Sequence, residues 1–102
     1  MEKKTPHYSL ARIKATFSSP ATLRLTNSAR VGARAVGLDL AGIVRVVQSI
    51  ERKHFYKSMP SYADTTIWQD VYHVPEGKWI LYVKFTVETN GKLFLLISFK
   101  EK

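Results

Sequence analysis

Gln69, His73, Tyr82, Lys84, Ser98 and Lys100 are the residues of this 102-residue chain whose types, taken together, could act on a phosphodiester. Two lysines bind phosphate as point charges. A tyrosine stacks on a base or moves a proton, and nearby cations are expected to stabilise its phenolate. A glutamine exchanges hydrogen bonds with a base edge or a phosphate oxygen, and a histidine carries protons near neutral pH. The set suits metal-free RNA cleavage. There the 2′-hydroxyl attacks the adjacent phosphate, and the protein supplies a base, an acid and positive charge for the transition state. No carboxylate cluster, glycine-rich phosphate loop or Ser-His-Asp spacing accompanies these residues. Each also has a plainer reading: a solvated lysine, a surface histidine beside a turn, a tyrosine packed across strands. A non-catalytic nucleic-acid-binding module would use the same basic face, and this alternative stays open on pattern alone.

The residues share a face only if the strands carrying them pair in one register. Strands are expected at about Thr66–Val74, Trp79–Glu88 and Leu93–Lys100. In the middle one, Trp79, Leu81, Val83, Phe85 and Val87 form the core side, and Ile80, Tyr82, Lys84, Thr86 and Glu88 the other. A two-residue turn at Asn90-Gly91 would pair Leu81 with Lys100 and bury a lysine. A three-residue loop, Thr89-Asn90-Gly91 with Gly91 left-handed, instead pairs Val83 with Ile97 and Leu81 with Phe99. For the first hairpin, a four-residue "PEGK" loop places Val74 opposite Trp79 and Gln69 opposite Lys84. A two-residue loop is expected to bury Gln69 and His73 instead. In "TIWQDVY" the four-residue version sends Gln69 outward. Asp70 then lies on the core side, where its carboxylate needs hydrogen-bond partners or an exit to solvent.

Upstream, Ser9 can cap a helix carrying Leu10, Ile13 and Phe17, and Pro20 stops it. "ATLRLT" reads as a short strand. Asn27 can cap a second helix, with Arg30 and Arg34 on one side, that ends at Gly37. Asp39 caps a third, with Leu40, Ile43, Val44 and Val47 facing in and Arg45, Gln48 and Arg52 out. Helices first and strands last give an α+β domain: an antiparallel sheet with about three helices on one face, the other face open to a ligand.

The charge points the same way. Sixteen Lys and Arg against eight Asp and Glu leave +8, and between Lys3 and Leu38 there are seven basic residues and no acidic one. A polyanion, above all nucleic acid, is the expected partner. The absence of cysteine excludes a disulfide framework and thiolate zinc, and fits a cytoplasmic protein. "MEKKTPHYSL" is not a secretory signal, and the longest apolar runs, "WILYV" and "LFLLI", are too short for a membrane.

"MEKKTPH", "GLDLAG", "FYKSM", "TIWQDVY" and "ISFKEK" are spread over the whole chain, and through them the sequence resembles the MqsR family of bacterial toxins. The resemblance implies that residues 1–102 form one RelE-like endoribonuclease toxin domain. It implies a sequence-specific, ribosome-independent mRNA interferase, cutting at GC-containing sites and needing no cofactor. Carried over residue by residue, the catalytic set is Lys57 in "FYKSM", Gln69, Tyr82 and Lys100; Lys84, Ser98 and His73, placed on the same face by the strand register, are expected as substrate contacts. Lys57 enters by resemblance only. The implied partner is a zinc-containing, DNA-binding MqsA-type antitoxin, through which alone the toxin would reach operator DNA.

Overall fold

The computed structural model describes residues 1–88 and 93–102. Among these, three helices, α1 (Leu10–Thr16), α2 (Asn27–Ala35) and α3 (Leu40–Ser49), precede four strands. The strands are β1 (Phe55–Pro60), β2 (Trp68–Glu76), β3 (Trp79–Val87) and β4 (Phe94–Glu101), antiparallel in the order β1-β2-β3-β4. The α+β class is as expected, and a RelE-like arrangement is compatible with it.

Caps explain the helix bounds. The Ser9 hydroxyl accepts from Arg12 N–H and the Asp39 carboxylate from Gly42 N–H, as expected. The cap of α2 is Thr26 rather than Asn27: its hydroxyl accepts from Ala29 N–H, and Asn27 is already helical. Gly37, at φ +81°, ends α2. Its N–H reaches the Arg34 carbonyl and Leu38 N–H the Ala33 carbonyl, a Schellman closure. Inside α3, Val46 is buried with Ile43 and Val47, while Val44 is only half-buried. "ATLRLT" is not a strand of its own. It opens in a 3₁₀ turn, and Leu25 then makes a single parallel bridge to Leu96 of β4.

The helices cover one sheet face. Ile13, Phe17, Ala29, Ala33, Ile43 and Val47 pack there against Tyr72, Val74, Leu81, Val83, Phe85, Leu96 and Phe99. The expected core set of β3 is therefore right. Both hairpins differ in register. β2 and β3 meet through a two-residue turn, Gly77-Lys78, with Glu76 opposite Trp79 and His73 opposite Tyr82. Gly77 has φ +57°, in the position where a type II′ turn needs glycine. This moves the pairing by two residues, an even step that preserves the side each residue faces. The expectation that a two-residue loop buries Gln69 and His73 was wrong for that reason.

In the second hairpin Val87 pairs with Phe94 and Phe85 with Leu96, so the three-residue register does not form. That pairing, continued, would bring Lys100 opposite Leu81 on the core side. A bulge prevents it: Lys84 pairs with Ser98 and Val83 with Phe99, leaving Ile97 extra. The residues expected to make the turn, Thr89-Asn90-Gly91, lie outside the described residues.

β1 was not foreseen, and it carries Lys57. Phe55 pairs with Tyr72 but Lys57 with Val71, so Tyr56 is the extra residue of a second bulge. On its far side Ser58 exchanges two backbone hydrogen bonds with Lys3, at 2.7 and 2.9 Å. The N-terminal segment is held further along by Asp70. Asp70 is fully buried and accepts from the backbone N–H of His7 (3.2 and 2.9 Å) and of Tyr8 (2.9 Å). Of the two options open to it, partners or an exit to solvent, the carboxylate takes the first. Asp70→Ala would orphan both N–H groups. It should cost on the order of 2–4 kcal/mol in urea denaturation, and Asp70→Asn, which keeps one acceptor, less. A loss below about 0.5 kcal/mol for Asp70→Ala would show that these bonds do not anchor the segment.

Candidate active site

The sheet face away from the helices gathers its side chains in rows. One row runs Lys57, Val71, Lys84, Ser98 across all four strands. The next runs His73, Tyr82, Lys100, with Tyr56 at the β1 end. Alternation would send Tyr56 and Lys57 to opposite faces; the bulge turns both outward. Val71 is fully buried on this face, flanked by Lys57 and Lys84, whose stems can cover it while their ammonium groups stay wet.

Tyr82 is the hub. The Lys100 ammonium lies 5.5 Å and that of Lys84 5.8 Å from its ring centroid. The His73 ring lies 6.0 Å from the Tyr82 ring and stacks on Tyr56 at 4.2 Å. Lys57 sits 5.4 Å from the Tyr56 ring and donates to Glu2 at 2.7 Å. Six of the seven expected site residues thus occupy two adjacent rows. Gln69 is on the same face, two positions along β2 from Val71 and opposite Met59. Among the described residues no hydrogen bond joins it to the others. Tyr56 and Glu2 were missed. Tyr56 had a signal, its place beside Lys57 in "FYKSM"; Glu2, 55 residues from Lys57, had none.

The electrostatics correct one expectation. Burial pushes the Tyr82 phenol above its ordinary range; Lys57 pulls it back only in part, and Tyr56 adds to the rise. Tyr82 is therefore a neutral phenol at pH 7, a proton donor and not a phenolate. Lys84 is pushed down by burial, then by Lys100 and Lys57. His73 is pushed down by burial and by Lys102, so its imidazole is neutral at pH 7. Lys57 is pushed up, chiefly by the hydrogen bond to Glu2. Among the described residues no three His, Asp or Glu side chains converge to hold a metal ion. A cavity of about 520 Å³ lies elsewhere, lined by Arg30, Arg34, Leu38, Leu40 and Ile43, and holds none of these groups.

Fold and surface thus define a small α+β domain with a basic, aromatic sheet face. The family model described as "Motility quorum-sensing regulator, toxin of MqsA" matches residues 5–101. The chain is 41% identical to the mRNA interferase toxin MqsR of Escherichia coli (strain K12) over 102 residues, 100% of each chain. The chain belongs to the MqsR toxin family.

The lysine cluster has a measurable consequence without any ligand. Lys84 is held below its ordinary range, so the folded state binds its proton less readily than the unfolded chain does. Its contribution to stability therefore rises with pH through the alkaline window below about 10.4, and is unfavourable at pH 7. Lys100→Gln should relieve it. Thermal melting should rise by about 1–3 °C at low ionic strength, and the gain should vanish near 1 M salt. A lower melting temperature in both conditions would show that Lys100 contributes packing rather than repulsion.

Proposed function

We propose that this chain is an mRNA interferase, a toxin that cuts single-stranded mRNA by intramolecular transesterification. The observation that carries this is the neutral Tyr82 phenol ringed by Lys57, Lys84 and Lys100 on an open sheet face. The full-length relation to a protein named as an mRNA interferase toxin supports the same reading. The lysines neutralise charge as the 2′-oxygen bonds to phosphorus. Tyr82 gives its proton to the departing 5′-oxygen as that P–O bond breaks. The 2′-hydroxyl proton has an acceptor beside Tyr82 in the neutral His73 imidazole. Gln69 and Ser98 would contact the RNA at the edges of the rows. The reaction needs no metal and no ribosome, and falls at GC-containing sites. A cognate MqsA-type antitoxin, zinc-containing and DNA-binding, neutralises the toxin in the cytoplasm and carries it to operator DNA.

Cleavage of a defined RNA should persist in EDTA and leave a 2′,3′-cyclic phosphate on the 5′ fragment and a 5′-hydroxyl on the other. Loss in EDTA with recovery in Mg²⁺ would reject this chemistry. Binding without any cleavage would leave a non-catalytic RNA-binding module.

Tyr82→Phe keeps the ring and removes the proton. At saturating RNA it should cut at least about 10²-fold more slowly with near-normal affinity, whereas Tyr82→Ala should lose affinity as well. Equal single-turnover rates for Tyr82→Phe and the parent would make the hydroxyl idle.

A further inference from the structure

The three lysines around Tyr82 repel one another, and among the described residues one carboxylate pairs with any of them. It comes from the second residue of the chain. Glu2 Oε2 accepts from Lys57 Nζ at 2.7 Å, with Lys57 mostly covered and Glu2 about half-exposed. Such a pairing is well set only if the segment that carries Glu2 is itself tied down.

Here the tie is extensive. Lys3 is bridged to Ser58 through both backbone groups, immediately beside Lys57. The Lys3 ammonium lies 4.0 Å from the Trp68 ring centroid and 2.8 Å from His7 Nδ1. The His7 ring stacks on Trp68 at 5.4 Å. Beyond that, the buried Asp70 carboxylate binds the His7 and Tyr8 N–H groups. The antiparallel bridge puts Glu2 opposite Met59, on the same side as Lys57 and diagonal to it, within reach of the lysine's ammonium.

We propose that Glu2 is a positioning residue for the RNA cleavage described above, acting through Lys57. A lysine on an edge strand has four rotatable bonds and would sample many directions. Glu2 takes one of its three N–H donors and fixes the ammonium beside Tyr56 and Tyr82, leaving two donors for a phosphate oxygen. The titratable groups that act on Lys57 are Glu2 on the strap side and Tyr56, Tyr82 and Lys84 on the sheet, while Lys4 and the chain N-terminus act on Glu2. Apart from Glu2, the ions among them are cationic, so the strap carboxylate is what holds the Lys57 ammonium in one place against their repulsion. The N-terminal strap is therefore part of the site and not a tail beside it. The inference rests on the endonuclease reading.

The test is Glu2→Gln in the full-length chain with an unmodified N-terminus, beside Glu2→Asp. Melting temperature should stay at the parent's value. The single-turnover rate at saturating RNA should fall about tenfold, a loss typical of a slightly misplaced group, with KM unchanged or lower. Glu2→Asp should recover part of it. In ¹³C NMR, the Lys57 Cε resonance should titrate at lower pH in Glu2→Gln than in the parent, which shows that the Glu2–Lys57 contact exists in solution, while a fall in rate at an unchanged melting temperature is what a merely structural role would not produce. A parent-like rate overturns the proposal, including when it comes with tighter binding, which would make Glu2 only a competitor for phosphate. An unmoved Lys57 titration overturns it too. A parent that does not cleave RNA rejects the endonuclease reading itself, whatever Lys57 does.

Discussion

Side chains alternate across a β-strand, so each strand has one set of residues for the helices and one for the opposite face. In this sheet the constraint is severe, because the helix side is a packed core and the other side is cationic. A strand one residue out of step would put a lysine among Phe85 and Tyr72. The two central strands satisfy the rule along their length. The two edge strands do not, and each is corrected by a bulge. Without the extra Tyr56, Lys57 would fall opposite Asp70 and face the helices. Without the extra Ile97, Lys100 would fall opposite Leu81. Both corrections sit where a lysine of the candidate site is at stake, and the lysine row and the Tyr82 row exist only because of them.

The charge arrangement follows from the same geometry. Lysines delivered to adjacent strands must stand near one another, and burial by the face's own aromatic rings makes their repulsion harder to screen. The downward push on Lys84 and the upward push on Tyr82 are two results of one partly dehydrated surface. Such a surface is poorly solvated until an anion arrives. Its cost to the free protein and its readiness for a phosphate have the same source.

Much of this was legible in the sequence, and the failures have a common cause. Ser9, Asp39 and Gly37 mark helix ends by local chemistry, and the structure uses all three. The alternation of β3 identified the core side and put Asp70 there, though it left open whether the carboxylate finds partners or solvent. β1 stayed hidden because its bulge destroys the period that announces a strand, and its Ser58 faces inward. Pro75 read as a loop residue and hid the last pairs of the first hairpin. The second hairpin shows the distinction most clearly. Burial correctly forbade Lys100 in the core, but the repair came from a mid-strand bulge and not from the turn, and no local signal separates the two.

What remains is how edge strands, the most mobile part of a sheet, hold lysines steadily enough to matter. Each is supported on its outer side by a different device. β1 is paired by the N-terminal strap, which Asp70 fastens to the next strand in. β4 is flanked by residues 24–26, through Leu96 N–H to the Arg24 carbonyl and Thr26 N–H to the Leu96 carbonyl. Then α2 presses on β4 at Gly32, where a Cβ would stand 2.0 Å from the Phe99 carbonyl oxygen. That contact admits only glycine. It sets the backbone one residue before Lys100, just as the Lys3–Ser58 bridge sets it one residue after Lys57. Among the described residues, each edge strand is covered on its outer side near its lysine, by the strap at Ser58 and by α2 at Phe99, which guards against pairing with other chains. The same supports hold Lys57 and Lys100, one in each row, on either side of Tyr82, so the placement of these lysines is set from outside the sheet as well as by the bulges within it.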